Sequence, residues 1–357
     1  MTRITRLQKR FPELYIDAFL VTDPLNIYYL SGFHLEAGDG FLLITEENAI
    51  IVTDARYAEA LAEFDNDEVV ATISSDYYGS LSKICQGMDI AVLGFEESMS
   101  YALYDLLDDL MLTDLVPFKQ LIEQMREIKD INEIEQLTQS ARLLDDGYRY
   151  VLSIVQPGMT EREVANRLDF WLKERGASAA SFPTIVASGI NGAKPHATAS
   201  DRQIQAGELV TLDFGYYLNG YTADMTRTFA MGPVAPELKE MYGLVLAAHD
   251  AVIEHAQTGI DGASLDQYGR QIIEEAGLGQ RFIHGMGHGI GLAVHEMPMA
   301  YGPNSKRLHL QTNEVITVEP GIYVPGLGGV RIEDDLVIGH GPAQQLTQTP
   351  TDLVVVD

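Results

Sequence analysis

Two aspartates in a predicted hairpin are the first residues whose type and spacing point to chemistry. Asp213 and Asp224 lie in β-rich runs on either side of Asn219-Gly220, a pair typical of a two-residue hairpin turn. With those two residues as the loop, the strand pairing places Asp213 opposite Thr226. Asp224, two residues before Thr226, then points to the same face of the hairpin as Asp213. Such a diagonal pair of carboxylates, about 7–8 Å apart by backbone, can reach shared ions. A hairpin that faces solvent is the alternative interpretation of this segment alone.

A glycine-rich segment, Phe282–Glu296, adds three histidines: His284, His288 and His295. The spacing of the first two is that of a helical zinc motif, but four glycines within residues 285–291 disfavour a helix. We therefore predict an extended loop whose backbone packs closely against another element. Because the whole chain has nine histidines, three within twelve residues favour a functional site over unrelated core or surface positions.

Acidic residues also end one apolar run and alternate along another. Glu319 ends an apolar strand, and residues 330–338 are predicted to form a further strand. Strand alternation then places Arg331, Glu333 and Asp335 on one face. Because an unpaired buried charge is costly, carboxylates among valines and isoleucines predict bound partners.

The elements that must position these residues fall into two predicted domains. The first, residues 1–122, is an α/β domain, with helices at 57–64 and 98–112 and strands at 17–22, 40–45, 49–53 and 90–94. Pro117 and the polar stretch after it mark the boundary. The second, residues 128–357, is predicted to be an α+β domain.

Helical patterns in the second domain occur twice. A long amphipathic helix is predicted over residues 132–155, and Thr160 with Glu163 then forms a capping box for the next helix. A helix over 236–257 and a capped helix ending at Ala276 repeat this order ahead of further strands. The repetition suggests an internally duplicated α+β unit.

Composition excludes several classes of protein. The chain has 357 residues, with 24 Lys and Arg against 52 Asp and Glu, so its net charge of −28 disfavours binding to nucleic acid and to anionic membrane surfaces. The single cysteine, Cys85, cannot form an intramolecular disulfide, which favours a reducing compartment. No apolar run reaches about 18 residues, and no apolar stretch follows the basic amino terminus. We therefore expect a soluble, cytoplasmic protein.

The acidic residues and histidines also resemble a known metal-ligand set. Five side chains fall in the order and motif context of the five ligands of the pita-bread metallopeptidases, the superfamily of methionine aminopeptidase, aminopeptidase P and prolidase: Asp213, Asp224, His288, Glu319 and Glu333. Five segments are similar to its Xaa-Pro branch: residues 26–32, 53–57, 181–189, 284–291 and 320–334. The likeness covers essentially the whole chain, including an amino-terminal α/β domain that methionine aminopeptidases lack.

The resemblance implies how two divalent ions are held. Asp224 and Glu333 would bridge the ions, Asp213 would complete one site, and His288 and Glu319 the other. Four carboxylates converging at about 5 Å repel one another by about 3 kcal/mol per pair even at an effective dielectric of about 20, so the cluster must bind protons or cations. An oxygen-rich site with one imidazole suits Mn²⁺, with Co²⁺ or Zn²⁺ as other occupants.

The resemblance also implies roles for residues around the ions. Glu319 would handle the proton when water attacks the amide carbon. His196 and His295 would stabilise the tetrahedral intermediate and orient the substrate, and His284 would line the proline pocket. Two residues would support the ligands from behind, Arg331 and Thr226, with Arg331 also counted among the substrate-binding residues.

The function that the resemblance implies is hydrolysis of the bond between an amino-terminal residue and proline. Residues 53–57 and Phe95-Glu96-Glu97 are similar to bacterial aminopeptidases P, so that subtype is the main expectation. The alternative is an Xaa-Pro dipeptidase (prolidase). Remoter alternatives are a non-catalytic binding protein of the same fold and a creatinase-like amidinohydrolase. The likeness also suggests a homodimer that acts on proline-containing peptides.

Overall fold

In the computed structural model, which describes residues 1–356, the chain forms two units, Met1–Arg126 and Glu127–Asp357. The first unit contains seven α-helices: α1 (Arg3–Gln8), α2 (Phe11–Leu14), α3 (Pro24–Ser31), α4 (Ala58–Ala62), α5 (Tyr77–Gly87), α6 (Tyr101–Leu110) and α7 (Glu123–Glu127). The last residue of α7 belongs to the second unit. Its strands are β1 (Ala18–Val21), β2 (Gly40–Thr45), β3 (Ala49–Thr53), β4 (Val69–Ile73), β5 (Val92–Glu96) and β6 (Asp114–Phe118).

These strands form one mixed six-stranded sheet in the order β4-β3-β2-β1-β5-β6. The four strands predicted in this part of the sequence are confirmed as β1, β2, β3 and β5. Cys85 is buried in the core that packs against the sheet, as expected of a small apolar residue. Burial raises the pKa of its thiol to about 11, which disfavours a nucleophilic role.

The second unit begins with four long helices interleaved with strands: α8 (Ile131–Ile154), α9 (Glu161–Lys173), α10 (Pro236–His255) and α11 (Gly262–Glu275). The predicted capping box of Thr160 and Glu163 is confirmed at the start of α9. Its strands are β7 (Ala179–Ala180), β8 (Ile185–Ser188), β9 (Leu209–Leu218), β10 (Tyr221–Met231), β11 (Gly287–Gly289), β12 (Glu296–Tyr301), β13 (Val315–Val318), β14 (Gly321–Val324), β15 (Gly328–Arg331), β16 (Asp334–Val337), β17 (Gln344–Gln345) and β18 (Val355–Val356).

Three sheets carry these strands. One has the order β18-β10-β9-β7, with β8 also paired to β9, and another the order β12-β11-β13-β16-β17; β14 and β15 form a separate pair. Each helix pair therefore precedes the strands of one five-stranded sheet, which is consistent with the predicted duplication. Within residues 1–356, none of the helices combines the length and apolar character that a membrane span needs.

The long hairpin β9–β10 has the register predicted from its turn. Leu218 pairs with Tyr221 across Asn219-Gly220, and Asp213 pairs with Thr226. Both turn residues have positive φ, 53° for Asn219 and 84° for Gly220, which is what a tight turn of this kind requires. The hairpin thus places both aspartates by local geometry alone.

Arg227, on the opposite face of β10 from Thr226, fixes this hairpin to the segment that follows Arg331. It is 1% exposed, and its Nη2 donates to Oδ1 of Asp334 (2.6 Å) and to the carbonyl oxygen of Thr349 (2.7 Å). Its Nη1 donates to the carbonyl oxygen of Glu333 (2.7 Å). One buried guanidinium therefore holds three chain segments together.

We expect Arg227→Met to lower the free energy of unfolding by about 3–5 kcal/mol, because it leaves the carboxylate of Asp334 buried without its main cation. Urea denaturation of the metal-free protein measures this change. The same substitution at Arg149, whose ion pair with Asp146 is largely exposed, should cost at most about 1 kcal/mol. Equal losses for the two variants would contradict this account of Arg227.

Candidate metal centre

The two hairpin aspartates lie on one buried face. Asp213 is 8% and Asp224 5% exposed. The backbone N–H of Asp224 donates a hydrogen bond to Oδ2 of Asp335 (3.0 Å). This bond fixes the backbone that carries the Asp224 carboxylate. Among residues 1–356, Oδ1 of Asp213 and Oδ1 of Asp224 are buried without a hydrogen-bond partner. Buried oxygens of this kind are costly unless a proton or a cation satisfies them.

Glu333 reaches the same face from a different part of the chain. It forms an isolated bridge with Thr226, its backbone N–H donating to the carbonyl oxygen of Thr226 (3.0 Å). The Thr226 hydroxyl donates to Oε2 of Glu333 (2.6 Å) and accepts from Nε of Arg331 (3.1 Å). Thr226 therefore supports Glu333 directly, which agrees with the expectation that it lies behind the ligands.

The single strand predicted over residues 330–338 is wrong. The structure has two strands, because Arg331 pairs with Gly321 on β14 whereas Asp334 pairs with Val318 on β13. Glu333 lies in the break between them, which frees its backbone N–H to bond to β10 instead. The predicted alternation of side chains nevertheless holds: Arg331, Glu333 and Asp335 all contact the hairpin face, whereas Asp334 binds Arg227.

His288 lies in the extended glycine-rich segment that the sequence predicts, on the short strand β11. Its Nδ1 bonds to the carbonyl oxygen of Gly289 (3.0 Å), an acceptor, so Nδ1 is the donor and Nε2 keeps a free lone pair. Its backbone N–H donates to Oγ1 of Thr317 (3.1 Å). Gly287 packs so closely that a Cβ would lie 2.0 Å from the carbonyl oxygen of Thr317, which explains why glycine flanks this histidine.

Glu319 follows β13 and borders the cluster from the side. Its side chain is 21% exposed, with Oε1 3.9 Å from Nε2 of His288 and Oε2 3.8 Å from Nδ1 of His284. One potential ligand atom each of Asp224, His288 and Glu333 lies within 4.8 Å of the other two. The structure therefore brings these four residues together at the hairpin face that also carries Asp213.

Burial and neighbouring charges change the pKa values of these groups. Burial, and next the charge of Asp213, raises the pKa of Asp224 well above its usual value. Burial, and next the charge of Asp224, does the same for Glu333. Burial raises the pKa of Glu319 to about 7, and burial lowers that of His288 to about 4. At neutral pH the site thus offers an unprotonated imidazole, and its carboxyl groups hold their protons more tightly than free carboxyl groups do.

This arrangement fits divalent cations. The donor set consists of carboxylate oxygens and one neutral imidazole, which suits hard or borderline metal ions. Two of the carboxylates have a buried oxygen without a partner, and burial together with neighbouring carboxylates disfavours the ionised forms of Asp224 and Glu333. Cations bound there would stabilise the ionised carboxylates and give the unpaired oxygens a partner.

We expect metal uptake by the metal-free protein to release protons, because cations compete with the protons held at raised pKa values. Raising the pH removes those protons first, so affinity should increase from pH 6 to pH 8 by about tenfold per pH unit for each proton displaced. Calorimetric titration with Mn²⁺ in two buffers of different ionisation enthalpy counts the protons. Affinity that does not change with pH, with no proton release, would contradict this electrostatic account.

Three further histidines lie near this cluster. His196 and His295 are exposed and His284 is half-buried. Burial, and next the charge of His196, lowers the pKa of His295. Burial, and next the charge of Arg331, lowers the pKa of His284 to about 4, with a smaller contribution from His196. The ring of His295 contacts that of His288 edge-on, with 4.2 Å between centroids. The three predicted substrate-side histidines are thus placed together beside the candidate ligands.

Arg331 is buried beside Asp213. It is 4% exposed and donates through Nη2 to Oδ2 of Asp213 and through Nη1 to the hydroxyl of Tyr323 (2.8 Å). These contacts hold Asp213 and Tyr323 in place. The expectation that Arg331 also binds substrate stays a prediction.

Two residues beside the site were not predicted, Tyr323 and Thr317, whereas strand alternation had placed Asp335 on this face. Tyr323 connects His284 to Arg331, with its hydroxyl 2.8 Å from Nε2 of His284; burial raises its pKa to about 12. Asp335 and Thr317 pair across β16 and β13 and bond to the backbones of Asp224 and His288. In the sequence, strand alternation places Asp335 on the same face as Glu333. No pattern distinguishes Thr317 and Tyr323 from other strand residues.

Comparison with known proteins agrees with this geometry. Residues 135–340 match the profile of metallopeptidase family M24, and residues 3–128 match that of the creatinase/prolidase N-terminal domain. The chain is 34% identical over 356 residues to the Xaa-Pro dipeptidase of Pyrococcus furiosus, covering 99% of both chains.

Solved structures give the same picture. The Xaa-Pro dipeptidase from Bacillus anthracis has a TM-score of 0.93 and 37% identity, over 99% of this chain and 98% of that chain. The X-Pro aminopeptidase from Thermotoga maritima MSB8 has a TM-score of 0.91 and 34% identity, over 97% of this chain and 100% of that chain. The pita-bread fold class expected from the motifs is confirmed, and the chain belongs to metallopeptidase family M24, with a creatinase/prolidase N-terminal domain.

Proposed function

We propose that this protein is an Xaa-Pro dipeptidase that hydrolyses the bond between an amino-terminal residue and a carboxy-terminal proline. Family membership implies a metallopeptidase that acts with divalent metal ions. The observation that carries the proposal is the buried cluster of Asp224, His288 and Glu333. The dipeptide substrate is supported by the names of the relatives in Pyrococcus furiosus and Bacillus anthracis.

Five side chains are proposed to hold two divalent cations, Mn²⁺ in preference to Co²⁺ or Zn²⁺. The resemblance to the family assigns Asp224 and Glu333 as the residues that would hold both ions. Both side chains are buried, and burial, followed by the charges of neighbouring carboxylates, raises their pKa values. Asp213 is assigned to one ion, and His288 and Glu319 to the other. The cations, once bound, would polarise the scissile carbonyl and acidify an attacking water.

The residues around the cluster supply the remaining steps. Glu319 accepts the proton of the attacking water and passes it to the proline nitrogen as the C–N bond breaks. His196 and His295, both exposed, are assigned to donate to the oxyanion and to orient the substrate. His284 is assigned to the proline pocket, and Arg331 holds Asp213 in place.

An Xaa-Pro aminopeptidase is the second candidate, and it was the main expectation from the sequence. The likeness to the X-Pro aminopeptidase of Thermotoga maritima supports it. The dipeptidase is preferred because the chain is similar to dipeptidases in both sequence and structure comparisons. The two functions differ in one measurable property, which is whether a residue after proline is tolerated.

The test compares three peptides with the Mn²⁺-loaded enzyme: Ala-Pro, Ala-Pro-Ala and Ala-Ala. We expect cleavage of Ala-Pro, with kcat/KM for the tripeptide at least about tenfold lower, a difference of about 1.4 kcal/mol, and no cleavage of Ala-Ala. Faster cleavage of the tripeptide would establish the aminopeptidase instead. No cleavage of any proline peptide by enzyme that retains its metal would overturn the proposal, and parallel assays with Co²⁺ and Zn²⁺ test the choice of metal.

We also infer two properties of the protein in the cell. A homodimer is supported by the likeness to the family, and size-exclusion chromatography with light scattering tests it. A reducing compartment such as the cytoplasm is supported by the single cysteine, Cys85, which is buried and free.

A further inference from the structure

Lys129 is a buried cation that the proposed reaction does not use. Its side chain is 1% exposed, and its Nζ lies 3.1 Å from Oε1 of Glu296, whose side chain is 4% exposed. The same ammonium donates to the carbonyl oxygen of Met297 (3.4 Å). Removing two charges from water is expensive, so the position of this pair needs an explanation.

The partner of Lys129 organises the loop of residues 289–296, here named the His295 loop. Oε2 of Glu296 accepts a hydrogen bond from the backbone N–H of Ala293 (3.2 Å). Gly291 lies directly against the same carboxylate, since a Cβ there would be 2.1 Å from Oε1 of Glu296 and 3.2 Å from Cε of Lys129. The loop is therefore folded around one carboxylate and its lysine.

The His295 loop joins two elements of the site. It begins one residue after His288, and the carbonyl oxygen of Gly291 accepts from the backbone N–H of Thr222 (3.0 Å), on the strand that carries Asp224. His295 directly precedes Glu296 and is exposed. Whatever fixes the backbone at Glu296 therefore also fixes the backbone from which the His295 ring extends, and that ring contacts the ring of His288 with 4.2 Å between centroids.

Other carboxylates near Lys129 make this dependence stronger. Burial raises the pKa of Glu127, and burial raises that of Glu314 to about 7; Lys129 opposes both shifts. Lys129 thus offsets three buried carboxylates, those of Glu127, Glu296 and Glu314. Without the ammonium, the buried carboxylate of Glu296 would lose this cation, which favours uptake of a proton or movement of the side chain toward solvent together with its loop.

We propose that Lys129 is a positioning residue for His295, acting through the carboxylate of Glu296 and the fold of the His295 loop. The inference rests on the proposed function, in which His295 orients the substrate. It also gives a role to a lysine that lies just before the capping box of α8, formed by Asp130 and Glu133, far in sequence from the site that it serves.

The experiment is a double-mutant cycle with Mn²⁺-loaded enzyme and Ala-Pro as substrate. Its variants are Lys129→Met, His295→Asn and the double variant, with Lys129→Arg as the conservative replacement. We expect Lys129→Met to lower kcat/KM by about 10- to 100-fold with unchanged metal content, and Lys129→Arg to restore most of the loss. Because both changes act on one imidazole, the double variant should be no worse than His295→Asn alone.

Two controls keep the test specific. Lys173→Met makes the same change in a surface ion pair with Asp169 and should leave kcat/KM unchanged. If Lys129→Met does not fold, Glu296→Gln breaks the pair from its other side and replaces it in the cycle.

Each other outcome is decisive. Losses that multiply in the double variant, or wild-type activity of Lys129→Met, would overturn the role of Lys129 while leaving the proposed function intact. Wild-type activity of His295→Asn would instead overturn the proposed role of His295 itself. The two failures are therefore distinguishable within one set of variants.

Discussion

Asp224→Asn is expected to reduce kcat for Ala-Pro by at least about 1000-fold, and also to make the metal-free protein more stable at pH 8. The loss follows because the variant removes one of the two carboxylates assigned to both cations, and a metal site contributes several kcal/mol to the transition state. The gain in stability follows from the pKa of Asp224, which is raised in the folded protein. Its ionisation therefore opposes folding increasingly as pH rises, and asparagine does not ionise.

Steady-state kinetics and thermal unfolding of the metal-free proteins measure the two effects. Asp201→Asn is the matched control, because Asp201 is 83% exposed and pairs with Arg162 at the surface; it should leave kcat unchanged. A variant that keeps activity would contradict the assignment of Asp224. A metal-free variant less stable than wild type at pH 8 would contradict the electrostatic description of the cluster.

Glu319→Gln is expected to lower kcat by about 100- to 10,000-fold, the range associated with loss of a general acid–base. Glutamine has the shape of glutamate but cannot accept the proton of the attacking water. Because Glu319 borders the cluster and is 21% exposed, whereas Asp224 and Glu333 are buried, we expect this variant to retain more of its metal than Asp224→Asn does.

Single-turnover assays combined with metal analysis separate the two contributions of Glu319. Glu254→Gln, on the exposed side of α10, makes the same change away from the site and should behave as wild type. If Glu319→Gln loses metal and activity in the same proportion, Glu319 is a ligand only, and another group must move the proton.

Local rules predicted the parts of this site that lie on one element. The turn at Asn219-Gly220 determines the whole register of β9 and β10, so Asp213 could be placed opposite Thr226 from the sequence. The glycines around His288 led to the prediction of an extended segment and not a helix. The structure shows that neighbouring backbones approach these glycines too closely for a Cβ atom.

Contacts between distant segments were not predictable in the same way. The strand expected over residues 330–338 breaks because its two halves pair with different strands, β14 and β13. The local sequence does not indicate which strand each half pairs with. The roles of His196 and His284 came only from the resemblance, although the spacing of His284, His288 and His295 already favoured a functional site. The link from Lys129 to the His295 loop spans more than 160 residues, and its residues show no local pattern that pairs them.

Anomalous diffraction from crystals grown with Mn²⁺ tests the central claim most directly. The account predicts two manganese peaks, both within coordination distance of the carboxylates of Asp224 and Glu333, one also contacting Asp213 and the other His288 and Glu319. Peaks at other surfaces only, or a protein that crystallises fully active with no peak beside Asp224, would contradict it.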